Sequence, residues 1–215
     1  MRCLLLILTF LGTQINAQLN FEFVWGNEKI ENFKNYPFLN NDSISFSELK
    51  LYVSDYLLKS DDRYLSVNSV DLIDNGIPSS KIILDSINLS SYETISFNFG
   101  LDSTINTSGI LTGDLDPMKG MYWAWNSGYI HLKMVGKSSL VNTLKNEFEY
   151  HLGGYRKPNG TCFRVSLPLT TNSIQLDLKS LFLNPIDLKN NPVIMIPGKT
   201  ASQITESASN LFSIE

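Results

Sequence analysis

Tyr129-Ile-His-Leu-Lys-Met-Val135 and Glu147-Phe-Glu-Tyr-His-Leu152 are the two stretches on which the fold turns. In the first, alternation puts Ile130, Leu132 and Met134 on one face and His131 and Lys133 on the other. In the second it puts Phe148, Tyr150 and Leu152 on one face and Glu149 and His151 on the other. A period of two with one apolar side is the mark of half-buried strands in an antiparallel sheet. If the two pair as a hairpin with His131 opposite His151, Lys133 falls opposite Glu149, Leu132 meets Tyr150 and Met134 meets Phe148. Each cross-strand pair in that register is chemically sensible.

The same alternation recurs outward from this hairpin. Phe21, Phe23 and Trp25 share a face, as do Ile95, Phe97 and Phe99, then Phe163, Val165 and Leu167, then Ile174, Leu176 and Leu178. The segment from Phe46 to Lys59 reads as a central strand, with Leu49, Leu51 and Val53 on one side and Tyr52 and Tyr56 on the other. Turn-forming clusters separate the runs: Asn75, Gly76 and Pro78; Asp116, Pro117 and Gly120; Lys157, Pro158, Asn159 and Gly160. Helical spacing is confined to Leu140, Val141, Leu144 and Phe148, and to Ile204, Ala208 and Leu211 with Ser202 as N-cap. The fold class expected is all-β, an antiparallel β-sandwich with long loops and one or two short helices. A single domain is expected over residues 18–215, with the tail from about residue 184 loosely wrapped.

Residues 1–17 have the order of a secretory signal peptide: Arg2, then the apolar run Leu4 to Leu11, then a polar stretch ending Asn16-Ala17-Gln18. Cleavage is expected near Ala17, which places the mature chain in the periplasm, on the cell surface or in the medium. The apolar run falls well short of the roughly 18 residues that would span a bilayer, so the chain is not expected to be membrane-spanning. Cys3 precedes the apolar run, where lipidation does not occur, and leaves Cys162 as the single mature cysteine. No intramolecular disulfide is then available. A net charge of −4 without a Lys/Arg cluster argues against nucleic acid as a partner.

The inventory of catalytic motifs is thin. There is no Gly-x-Ser-x-Gly elbow, Walker loop, His-Glu-x-x-His or haem-attachment motif, and the chain is not expected to be an enzyme. Asp114 and Asp116 offer paired carboxylates, which before Pro117 are more often turn formers or a weak Ca²⁺ site than a hydrolase dyad. The two histidines, His131 and His151, are the candidate metal ligands. In the hairpin register above their Cβ atoms would stand about 5 Å apart, close enough for both imidazoles to reach one ion such as Cu(I). The alternative is two ordinary hydrogen-bonded histidines. Just upstream lies Met121-Tyr-Trp-Ala-Trp-Asn-Ser-Gly-Tyr129. Its Tyr122, Trp123, Trp125 and Tyr129 are either sandwich-edge packing or an exposed aromatic platform for a glycan or a protein, the function of a non-catalytic adhesion module.

Phe46-Ser-Glu-Leu-Lys-Leu-Tyr-Val-Ser-Asp55, Phe97-Asn-Phe-Gly-Leu101, Met121 to Tyr129 and Phe148-Glu-Tyr-His-Leu-Gly153 resemble, in order and spacing, the MbnP-type (methanobactin-associated) family of exported copper-binding proteins. Trp-x-Trp-x-x-Gly-Tyr and Tyr-His-Leu-Gly are the specific segments. The resemblance implies a periplasmic or surface protein engaged in copper acquisition or handling. It also implies copper held by two histidines and a tryptophan oxidised to kynurenine, the oxidation being carried out by a partner di-haem enzyme of the cytochrome c peroxidase type. His151 matches a ligand position, and Trp123 or Trp125 the oxidised one, with Trp123 preferred. In the family's best-studied site a ligand His stands two residues after the modified Trp. Here those positions hold Trp125 and Ser127, and His131 enters through the cross-strand register instead.

Overall fold

A computed structural model describes residues 17–77, 81–84, 87–126 and 128–215. The expected signal peptide lies outside the described residues except for Ala17, which opens the first strand. The strands are β1 (Ala17–Trp25), β2 (Glu28–Lys29), β3 (Tyr36–Pro37), β4 (Ser43–Lys59), β5 (Tyr64–Asp74), β6 (Lys81–Leu84) and β7 (Thr94–Phe99). They continue with β8 (Tyr122–Trp123), β9 (Gly128–Ser138), β10 (Glu147–Gly153), β11 (Phe163–Pro168), β12 (Ser173–Asp177), β13 (Val193–Ile194) and β14 (Phe212–Ile214). Among the described residues three α-helices are interspersed: α1 (Ser103–Thr107), α2 (Leu178–Leu183) and α3 (Lys199–Ser209).

The strands form two principal sheets, and the mostly β class expected from the alternation is what is found. The smaller sheet runs β14-β12-β1-β2, with β6 also on β1. The larger runs β11-β7-β4-β9-β10-β13, with β3 and β5 on β4 and β8 on β9. The sheets are mixed and not purely antiparallel, since β1 pairs β12 and β10 pairs β13 in parallel. Between the sheets the inward faces meet through aromatic rings: Phe21 on Phe97 at 5.3 Å, Trp25 on Phe46 at 5.8 Å and Phe97 on Phe212 at 5.3 Å between centroids. The α2 residue Phe182 sits at the centre of this cluster, touching Trp25, Phe46, Phe148 and Tyr150 at 5.3–6.1 Å.

β4 is the central strand expected, but bulges alter its faces. Pairing with β5 is displaced between Ser54 and Tyr56, where Asp55 takes φ +51°. One extra residue reverses the alternation beyond it. Tyr56 and Leu58 therefore join Leu49, Leu51 and Val53 in the main core, whereas Tyr52 faces the other way. That outer face carries a second core of Tyr52, Leu101, Leu115, Met121, Trp123, Tyr129 and Ile130, contributed in part by the long connection between β7 and β8.

Four further expectations are corrected. Leu140 to Asn146 is a turn between β9 and β10 and not a helix, with Leu144 99% exposed and Asn146 at φ +55°. Phe148 is drawn into β10 by the core, and burial of that ring overrides the local spacing. Leu178 starts α2 instead of ending a strand, because Asp177 Oδ1 accepts the Lys179 N–H at 2.9 Å and caps the helix. The tail beyond residue 184 is packed. Ile186 and Leu188 are buried, α3 lies against β10 and β11 with Ala201, Ile204 and Ala208 inward, and β14 adds to β12. Gly198 precedes the first turn of α3, while Ser202 lies inside the helix and its hydroxyl donates to Gly160 O at 2.8 Å.

Candidate functional site

The β9–β10 hairpin exists, but its register is two residues away from the one expected. His151 stands opposite Lys133, Tyr150 opposite Met134, Glu149 opposite Val135 and Phe148 opposite Gly136. At the end of the ladder Leu152 pairs Leu132 while Gly153 pairs Ile130. His131 is thus the extra residue of a β-bulge and has no partner on β10. The two histidines are not opposed.

His131 is fully buried and both its ring nitrogens are engaged. Asn106 Oδ1 accepts the Tyr129 N–H at 3.0 Å, which leaves Asn106 Nδ2 to donate to His131 Nε2 at 2.8 Å. Nδ1 then carries the proton and donates to Thr161 Oγ1 at 2.8 Å, and the threonine hydroxyl in turn donates to Gly154 O at 3.1 Å. The chain of bonds selects one neutral tautomer. Burial pushes the imidazole down to about 4, so it is uncharged at neutral pH. Gly100 admits the ring: a Cβ there would lie 2.6 Å from His131 Nδ1, and its φ is +97°. No pattern in the sequence links Asn106, Thr161 or Gly100 to His131. Only their convergence on one buried ring makes them part of the site.

His151 has a different environment. It projects from the outer face of β10 with 8% exposure, beside an ionic array on β4, β5 and β9. Lys133 Nζ lies 2.8 Å from Glu48 Oε2, and Lys50 Nζ lies 2.8 Å from Glu48 Oε1 and 3.5 Å from Asp74. Burial alone would raise the Glu48 carboxyl, but Lys133 and Lys50 hold it below the usual range. Burial lowers the His151 imidazole below 6.5, with Glu149 opposing and Lys133 reinforcing that shift. Glu149 Oε1 is 2.9 Å from Nε2, yet its direction does not make a hydrogen bond, so Nε2 keeps an electrostatic neighbour and no directed partner.

Trp123 shares this outer face. Its six-membered ring covers Gly153, where a Cβ would come within 2.9 Å of the ring and 2.5 Å of Tyr129 O. Residues 151 and 153 project to the same side of β10, about 7 Å apart along the strand, so Trp123 lies beside His151. Its indole Nε1 is buried and has no hydrogen-bond partner among the described residues. Gly153→Ala is expected to displace this ring and strain the Tyr129 pairing, at a cost of about 2 kcal/mol. Near-ultraviolet circular dichroism and urea unfolding will report both effects, and an unchanged aromatic spectrum would show that the close packing is not needed.

The other sequence candidates separate. Trp123 is 4% exposed and Tyr129 is buried, with its hydroxyl among Gly109 O, Leu115 O and the Leu111 N–H. Tyr122 is half-buried against Tyr129, and Trp125 alone is open, at 64%. The four rings therefore do not form one exposed platform. Asp114 accepts the Leu72 N–H and pairs with Lys119, which ties its loop to β5, while Asp116 caps a short turn through the Met118 N–H. Cys162 is half-buried, and burial pushes its thiol up to about 11. Among the described residues, no group of three or more His, Cys, Asp or Glu side chains is disposed to hold a metal ion.

These features define a mostly β, two-sheet protein whose larger sheet carries a buried His–Trp face under long connections. A model of the MbnP family matches residues 14–196, and the chain belongs to that family. Among solved structures, MbnP from Methylosinus trichosporium shares the fold with a TM-score of 0.65, over 86% of this chain and 84% of that chain at 14% identity. No curated protein matches the chain.

Proposed function

We propose that this chain is an exported, non-catalytic copper-handling protein of the periplasm or cell surface, in which His151 presents a neutral imidazole to copper beside Trp123. One observation carries the reading. Among the described residues three buried side-chain polar atoms lack a hydrogen-bond partner, Asn20 Oδ1, His151 Nε2 and Trp123 Nε1, and the last two lie on the same face of the larger sheet. Folded proteins rarely leave such atoms unpaired without a use for them. An imidazole held neutral offers its lone pair to a soft ion, and Cu(I) tolerates few ligands. The chain supplies a shielded nitrogen and an oxidisable ring, and copper held there would add its redox and ligand-binding chemistry.

His131 fits this role less well than His151. To join a two-histidine site it would surrender its bond to Asn106 or Thr161, worth about 1 kcal/mol, and leave the bulge that now points it to those residues. Trp123, against Gly153, is the preferred site of oxidation to kynurenine by a di-haem enzyme of the cytochrome c peroxidase type. Trp125, 5.8 Å from it and open to solvent, is the other.

Cu(I) competition with a chromophoric chelator tests the reading. His151→Ala is expected to weaken binding at least about tenfold, and His131→Asn to have a smaller effect. Affinity unchanged by His151→Ala would overturn the site. Peptide mass spectrometry of protein from its native host is expected to locate the tryptophan oxidation at Trp123.

A further inference from the structure

We propose that an open cleft of about 420 Å³ between Trp125 and the Ile196–Pro197 segment binds a small ligand made of a flat aromatic ring bearing an anionic group. The cleft has the volume of a small-molecule site. Its walls are apolar: Trp125 and Ile196 are each 64% exposed, a costly display for a tryptophan and an isoleucine side by side, and Pro197 and Tyr155 extend the surface. Arg156 and Lys157 are exposed on its rim. No carboxylate lines it, and among the described residues neither cation is ion-paired. In a chain of net charge −4 this is a locally positive concavity. A ring against Trp125 with its charge toward Arg156 and Lys157 uses both features.

The cleft is preformed. Trp125 rests on the buried Trp123 at 5.8 Å. The Arg156 guanidinium lies 5.7 Å above the Tyr155 ring, a cation–π contact that presets its orientation. Gly154, at φ +133°, lets Pro197 approach, since a Cβ there would stand 3.0 Å from Pro197 Cβ. The connection that bears the two cations closes on itself through Thr161 N–H to Gly154 O at 2.9 Å and Asn159 N–H to Arg156 O at 3.0 Å. Thr161 Oγ1 also accepts the hydrogen bond from His131 Nδ1–H, which ties the loop to the buried network.

The test uses metal-free mature protein and two probes of one shape, 2-naphthoate and the uncharged 2-naphthylmethanol, by isothermal titration and ligand-observed NMR. Naphthoate is expected to bind roughly tenfold more tightly than the alcohol and to weaken with added salt. Trp125→Ala should abolish detectable binding of both. The double variant Arg156→Gln/Lys157→Gln should remove the preference for naphthoate without lowering the melting temperature, because both side chains are exposed. Equal binding of the two probes, or naphthoate binding indifferent to either variant, would overturn the proposal. His151→Ala should leave naphthoate binding intact, which separates this site from the copper reading.

Discussion

Lowering the pH from 7 to 4 is expected to cost the fold about 3 kcal/mol through His131 alone. The imidazole sits near 4 in the folded state, against 6.5 in an exposed chain. Between these values the unfolded state binds the proton and the folded state does not, so stability rises with pH across the window. The contribution is fully present above 6.5 and is lost progressively as pH falls toward 4. Burial is the main cause, and the hydrogen-bond geometry at Nε2 acts in the same direction. A second proton at Nε2 would face Asn106 Nδ2, itself a donor, and turning the amide over would strip the acceptor from the Tyr129 N–H. His151 is also lowered and adds a slope of the same sign. The measurement is therefore a difference: urea unfolding of wild type and His131→Asn from pH 4 to 7.5. The variant should be less stable at pH 7 and should show a flatter profile. Parallel profiles would show that His131 titrates normally and that the bond chain is not intact in solution.

Phe182→Ala is expected to destabilise the protein by about 3–5 kcal/mol, the usual cost of removing a ring from a packed interior. The ring is 2% exposed and lies against Trp25 of the smaller sheet and Phe46, Phe148 and Tyr150 of the larger. Its loss opens a cavity where the sheets and α2 meet. The surrounding aromatic rings are themselves held by strand pairing and can collapse only in part. Phe182→Leu, which keeps most of the volume, should cost appreciably less. Denaturant midpoints at constant slope will measure both, and an alanine cost below about 1 kcal/mol would mean that the ring is not the keystone of this core.

Much of the fold was legible because burial selects side chains by face. Phe21, Phe23 and Trp25, or Phe148, Tyr150 and Leu152, announce a strand and its inward side, and each trio lies in the main core. The candidate site was legible only in its members. His131, His151 and Trp123 stand out in sequence by rarity and clustering, but what each touches depends on residues far along the chain: Asn106 and Thr161 for His131, Lys133 and Glu48 for His151, Gly153 for Trp123. The exposure of Trp125 beside its buried neighbour Trp123 was equally out of reach, because the two differ only in which connections cover them.

By itself the sequence determined the β class, the strands of the hairpin and, because a period of two is written in the residues, the faces their apolar residues bury. The exception is Ile130, which the bulge at His131 turns from the side of Leu132 and Met134 into the second core. Only the tertiary structure decided register. A slip of one residue exchanges the faces and is forbidden by burial. A slip of two restores them, so the hydrophobic pattern is the same with His151 opposite His131 or opposite Lys133. The bulge at His131, the turn that Asn146 makes in place of a helix, and the pairing of β10 with β9 settle that choice. They place one histidine in a sealed hydrogen-bond chain and leave the other beside a tryptophan, with Glu149 2.9 Å from its Nε2.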